Sequence, residues 1–315
     1  MTIGNGAKVA GARAQGRRRG RWLGADGPAA YLFLTPWLVG LVGITLGPLL
    51  ASLALSFTHY DLFNNPVWVG LANYQQMFLG DPTLLQSIRV TITYVVVSVP
   101  AILVLSLALA MLLNRGLQGL TVYRALFYLP SLLGGSVAIA VLWKQVFGTD
   151  GMLNQVLLVF HLHGPTWIGI PSTALYTLVM LNVWQFGATM IIFLAGLRQI
   201  PQALYESAQV DGAGIVRRFL HITIPMLSPV IFFNGVLGLI RAFQVFTSAY
   251  VISNGTGQPA GSTLLYSLYL YQQGFADYNM GYAAAMAWAL LVFIAGLTGL
   301  AFLTARFWVF YGDQG

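Results

Sequence analysis

Six apolar runs, each long enough to cross a lipid bilayer, constrain this chain more than anything else in it. They lie at about 31–57, 87–113, 122–147, 173–197, 226–251 and 281–308. A spanning helix needs about 20 mostly apolar residues, because the hydrocarbon core is about 30 Å thick and a helix rises about 1.5 Å per residue. In that core every backbone N–H and C=O must be satisfied within the protein, and a helix does this by itself. The sequence therefore predicts an all-α polytopic membrane protein with six transmembrane helices. Composition agrees: 7% of residues are charged, against about 25% in soluble domains. Pro100, Pro130 and Pro229 fall inside runs and predict local kinks, and Pro225 predicts a break before the fifth run.

The net charge of +7 would suggest nucleic acid in a soluble protein, but its placement points to a membrane. Lys8, Arg13, Arg17, Arg18, Arg19 and Arg21 all precede the first run; Arg115, Arg124, Arg198, Arg217, Arg218 and Arg306 lie in alternate connections or at the end. The connections 58–86, 148–172 and 252–280 hold no lysine or arginine. That asymmetry places both termini in the cytoplasm, and with them the connection 198–225. Residues 1–30 read as a disordered basic tail able to touch anionic lipid headgroups. Residues 31–312 read as one membrane domain. The first run is too long for a signal core and lacks a small-x-small cleavage site, so it stays as a span.

The connection 198–225 is the most strongly marked polar segment. Pro201 suits a first helical turn, Leu204, Ala208 and Val210 supply apolar positions, and Gly212 can take the left-handed conformation that ends a helix. A short surface helix over 201–212 follows, with a second over Ala213 to Ile224 carrying Arg217 and Arg218. Its sequence reads Glu206-Ser207-Ala208, Asp211-Gly212-Ala213, then Ile222-Thr223-Ile224-Pro225.

That spaced pattern resembles the cytoplasmic loop of permease subunits of bacterial ATP-binding-cassette importers, with Ser207 and Ile224 as conservative departures. Val69-Gly70-Leu71-Ala72-Asn73-Tyr74, Arg124 to Pro130, Phe243-Gln244-Val245-Phe246 and Gly281 to Met286 are similar to elements of the carbohydrate-importing branch, of maltose and glycerol-3-phosphate type. The resemblance implies a type I importer permease fold. It implies that the 201–212 helix is a coupling helix docking on a separate ATPase through Tyr205, Glu206, Ser207, Ala208, Asp211, Gly212 and Ala213, with Pro225 closing the loop. It further implies a second permease subunit, two ATPase subunits holding ATP and magnesium, and an extracytoplasmic solute-binding protein, in a bacterial cell membrane. The implied substrate is a sugar, polyol or sugar phosphate, moved by alternating access.

The residues themselves supply no energy source and no catalytic set. Neither Lys8 nor Lys144 follows a glycine, as a phosphate-cradling Gly-Lys-Ser/Thr loop requires. An ion-coupled secondary carrier for a polar solute, the alternative, would place acidic residues at mid-membrane, yet all eight lie outside the runs. No cysteine is present, and His161-x-His163 lacks further ligands, so no metal or cofactor is expected. Candidate pathway residues are Asn182, Trp184 and Gln185 in the fourth run, with Arg241 and Gln244 in the fifth. Amides, cations and aromatic rings are what hydrogen-bond and cover sugars. An interhelical hydrogen bond is the competing use of the amides. Arg241, some fifteen residues into its run, is expected to face protein or water.

Overall fold

The computed structural model describes residues 27–115 and 119–310. The tail reading falls outside the described residues as far as residue 26, and helix begins at Gly27 rather than after residue 30. The chain divides into two compact units, 1–52 and 53–315. The first contains α1 (Gly27–Gly40), a wide π-helical turn (Leu41–Leu46) and most of α2 (Gly47–Leu55). Together they make a continuous apolar helix over Tyr31–Leu55.

In the second unit a two-residue hairpin, β1 (Thr58–His59) and β2 (Val67–Trp68), pairs antiparallel with Thr58 opposite Trp68. This small strand pair was not anticipated by the all-α reading. Its turn is closed by Asp61, whose carboxylate accepts from the backbone N–H of Phe63 and Asn64 and from the Asn64 amide. The Asn64 side chain and backbone hold the Asp61 carboxyl below the usual carboxylate range. The Gly-Leu-x-Asn-Tyr element is explained next to it. Gly70 takes φ +60°, α3 (Ala72–Leu79) begins, and the buried Asn73 amide donates to the carbonyls of Ser56 and Thr58 at 2.8 and 2.9 Å. The Tyr74 hydroxyl reaches Ser56 Oγ at 2.8 Å.

Three long helices in this unit are unbroken. The first, α4 (Pro82–Leu113), is capped by Asp81, which accepts from the Leu84 N–H at 2.9 Å, with Pro82 in its first turn. A second runs over Ile215–Phe243 and comprises α11 (Ile215–Arg218), a π turn (Phe219–Thr223) and α12 (Ile224–Phe243). The third is α15 (Met280–Trp308). The break predicted at Pro225 is corrected here. Helix is continuous through Pro100 and Pro229, and Pro225 interrupts nothing. Before Pro225, as before Pro48, the preceding residue donates to the carbonyl five positions back: Ile224 to Phe219, and Gly47 to Val42. Proline has no N–H to give, and one wide turn carries the ladder past the missing donor.

The third and fourth runs are not single straight helices. The third is α5 (Leu120–Leu133) and α6 (Val137–Val146), bent by 101°; the fourth is α8 (Pro171–Trp184) and α9 (Gly187–Gln199), bent by 47°. Between them lies α7 (Met152–Val159). Among the described residues four helices are long and apolar enough to cross a membrane, and up to six spans result if each bent pair counts as one. The short helices α10 (Gln202–Val210), α13 (Thr247–Ile252) and α14 (Tyr266–Tyr271) complete the chain.

Two buried cores meet at the bend of the fourth run. Above it Tyr94, Leu178, Leu181, Ile252, Leu268 and Met286 pack together; below it Phe186, Met190, Phe193, Leu194, Leu197 and Leu227 do the same. Large apolar side chains such as Val96, Val104, Phe302 and Leu303 remain more than half exposed. In water such a surface would drive aggregation; in a bilayer it is solvated by lipid tails.

Candidate coupling loop and pathway residues

The connection 198–225 folds as its residues dictate. Pro201 stands just ahead of α10 and Asp211 ends it. Gly212 takes φ +75° and donates to the Gln209 carbonyl, while Ala213 donates to that of Ala208 at 2.8 Å. This pair of bonds is the Schellman arrangement, which satisfies carbonyls left free at a helix end and requires a residue tolerant of left-handed backbone. The helix is braced by one side chain. The Tyr205 hydroxyl lies 2.9 Å from Thr223 Oγ1, tying α10 to the π turn of the 215–243 helix. Glu206 is exposed and accepts from the Gln202 amide at 2.8 Å; Ser207 returns its hydroxyl to the Leu204 carbonyl. Ala208 and Ala213 are half-buried, and Pro225 lies in the first turn of α12.

What the loop leaves uncovered is apolar. Val210 is 90% exposed, Ile215 76% and Val216 70%. Three large aliphatic side chains around a glycine-capped turn form a surface that nothing else among the described residues covers.

The predicted pathway residues divide into two sets that no hydrogen bond joins. Asn182, Trp184 and Gln185 are half-buried at the bend of the fourth run. There the Gln185 amide turns back to the Leu181 carbonyl at 3.1 Å, and Ser106 of α4 donates to the Phe186 carbonyl at 3.2 Å. The Gln185 bond satisfies a carbonyl that the bend frees, while the Phe186 carbonyl accepts from Ser106 in addition to the Met190 N–H at 2.9 Å. The Trp184 ring packs on Trp143 at 5.6 Å, and Trp143 Nε1 donates to the Thr177 carbonyl at 3.0 Å. The two bent runs approach closely here, at two glycines. A Cβ at Gly134 would lie 2.2 Å from Gln185, and one at Gly187 would lie 2.2 Å from the Phe127 carbonyl oxygen.

Arg241 is placed differently from its prediction. It sits in the last turn of α12, which ends at Phe243, instead of deep inside a span. The reason is the continuous helix through Pro225, which begins at Ile215 and so reaches its end earlier. A cation at a helix C-terminus is favoured by the aligned peptide dipoles. Arg241 and Gln244 are both exposed, flanking buried Ala242 and Phe243, and so share a face.

Two groups of residues went unrecognised in the sequence. Phe246, Tyr250, Tyr271 and Phe275 form a run of ring contacts with centroids 5.0 to 5.4 Å apart. The i, i+4 spacing within each pair was the available signal. Asp81 also does more than cap α4: its Oδ2 accepts from Tyr269 at 2.8 Å and Tyr282 at 2.6 Å, binding the starts of α4 and α15 to α14. Burial and the adjacent Asp81 push the Tyr269 phenol upward, which keeps it a donor. Among the described residues no group of three His, Cys, Asp or Glu side chains could hold a metal.

A bundle of long and broken apolar helices, interrupted by a capped polar loop between the fourth and fifth runs, is the architecture of a transport permease. The chain belongs to the family of binding-protein-dependent transport system inner membrane components, which matches residues 77–307. It is 48% identical over 307 residues to a probable ABC transporter permease protein, YesP, of Bacillus subtilis, covering 97% of this chain and 99% of that one. It is 33% identical to the lactose transport system permease protein LacF of Rhizobium radiobacter, covering 88% and 93%. The fold is similar to that in the crystal structure of a bacterial alginate ABC transporter in complex with an alginate pentasaccharide-bound periplasmic protein. There the TM-score is 0.74 at 22% identity, over 89% of this chain and 94% of that one.

Proposed function

We propose that this permease forms half of the translocation pathway of an ATP-driven carbohydrate importer and that α10 is its mechanical joint. A separate ATPase pair, holding ATP and magnesium, binds the loop 198–225 at the exposed Val210, Ile215 and Val216 and around Glu206, Ser207, Asp211 and Gly212. A second, different permease completes the pathway, and an extracytoplasmic binding protein delivers a sugar. Both termini and the loop lie in the cytoplasm, as the placement of lysine and arginine favours. Closure of the ATPase pair moves α10; the Tyr205–Thr223 bond passes that movement to the 215–243 helix, and the pathway alternates between its two openings. No cofactor binds to this chain itself.

The observation that carries this reading is the capped, apolar-faced α10 loop in a family member whose relatives include the lactose permease. Arg241 and Gln244 are assigned to the pathway, because both are exposed next to a buried core although one is charged. Asn182, Trp184 and Gln185 are assigned to the same pathway at the bend, where part of their surface stays accessible.

Co-purification tests the joint. The tagged chain, alone and as the Glu206→Ala/Gly212→Pro double variant, is isolated from cells and assayed for bound ATPase and for ATP-dependent sugar uptake in vesicles. The wild type is expected to retain the ATPase and the variant to lose it or its coupled uptake. Uptake by the isolated chain, driven by an ion gradient and indifferent to the substitutions, would overturn the reading in favour of a secondary carrier.

A further inference from the structure

At the end of the molecule that carries α10, a cavity of about 690 Å³ lies between the last turns of α4, α10 and the first turns of the 215–243 helix. Its lining changes character along α4. Leu105, Leu109 and Leu112 come first, and Arg115 follows just beyond the helix. Arg218 lines the cavity from the other side, and the rim there is formed by Ile215 and Val216 of the surface proposed to meet the ATPase. Neither guanidinium has a hydrogen bond or an ion pair among the described residues, and Arg218 Nε is buried without a partner. The acidic residues of this end, Glu206 and Asp211, are exposed and make no ion pair with them among the described residues.

A wall of leucine for about two turns ending in two unmet cations is complementary to an amphiphile with an anionic head. A free anion has no use for the leucines. Basic pockets between membrane helices at the cytoplasmic side take anionic headgroups for this reason. We propose that the cavity binds one anionic phospholipid, its phosphate between Arg115 and Arg218 and an acyl chain along Leu105, Leu109 and Leu112. Tyr205 and Thr223, whose hydroxyls join α10 to the 215–243 helix, line the same cavity. The bound lipid therefore braces the joint, and coupled ATP turnover rises with the anionic fraction of the bilayer. The proposal rests on the function proposed above only in naming the leaflet and the consequence for turnover.

The test uses the full chain in detergent, with phosphatidylglycerol or phosphatidylcholine at equal concentration, and measures retained lipid by native mass spectrometry. A basic residue near the headgroup is worth about fivefold in binding, so two predict a preference of about 25-fold for phosphatidylglycerol. R115Q/R218Q should abolish the preference. Leu109→Trp keeps both charges but fills the chain's place, and should lower retention of both lipids. If the double variant does not fold, R115Q alone carries the test with about a fivefold loss. Equal retention of the two lipids, a preference undiminished by R115Q, or displacement of the lipid by excess inorganic phosphate would overturn the proposal. So would absence of the lipid from the importer assembled with its ATPase, which would assign the cavity to that partner. The micelle measurement needs neither ATPase nor membrane orientation. Failure of the wild-type chain to capture an ATPase, with the lipid preference intact, breaks the coupling reading alone.

Discussion

The unbroken helices and the bent pairs respond to helix breakers in opposite ways. Pro100 lies in the middle of α4, and Pro225 and Pro229 stand near the start of α12, yet each ladder continues. The fourth run bends by 47° at Gln185-Phe186, where there is no proline at all. The third bends by 101° at Gly134 to Ser136, beyond Pro130. Proline costs a donor and some room for one carbonyl, and in these helices a widened turn or a neighbour makes good the loss. Both bends lie instead where a glycine lets one bent run approach the other closely. Gly187 lies against the Phe127 carbonyl and Gly134 against Gln185, so each bent run shapes the other.

The largest expected effect comes from closing that contact. Gly187→Ala places a methyl 2.2 Å from the Phe127 carbonyl oxygen and 2.7 Å from Tyr128 Cα. Backbone cannot step aside as a side chain does, so a loss of about 3 kcal/mol is expected, seen as a lower unfolding temperature in detergent. Wild-type stability would break the comparison. Asp81→Ala acts on the unbroken helices instead, removing a cap and the acceptor for Tyr269 and Tyr282. About 2 kcal/mol is expected, with faster amide exchange in the first turns of α4 and α15. Exchange confined to α4 would show that α15 is held by other contacts.

Gly134→Ala sharpens the contrast with Gly187, because its methyl meets only the Gln185 side chain. That chain can rotate away, so about 1 kcal/mol is expected, and Gln185→Ala in the same chain should restore most of it. The smallest effect is expected for Pro100→Ala. A mid-helix proline costs about 3 kcal/mol in water, but α4 is already continuous through it, so a change under about 1 kcal/mol is expected in the same thermal assay. A large stabilisation would mean that Pro100 strains α4 after all.

Which features were legible follows from how local their causes are. The cap and the left-handed end of α10 involve Pro201 to Ala213 alone, and the sequence placed that helix within a residue or two. The cap on α4 was equally readable in Asp81-Pro82. The role of Asn73 was not: its amide serves the carbonyls of Ser56 and Thr58, seventeen and fifteen positions away. Arg241 was misplaced because the end of its helix depends on a π turn some twenty residues earlier, at Phe219–Thr223. The aromatic run through Phe246, Tyr250, Tyr271 and Phe275 joins two segments that sequence spacing keeps apart.

By itself the sequence determined that this chain is a helical membrane protein with a capped polar loop between its fourth and fifth runs. Apolar length and local capping are properties of contiguous residues, and the bilayer rewards them whatever the rest of the chain does. Tertiary structure alone decided where the third and fourth runs bend, how Asp81 gathers two tyrosines, and which leucines and arginines share a cavity. Each of these depends on backbones or side chains far apart in sequence reaching contact distance, and in lipid that packing is decided by fit between surfaces.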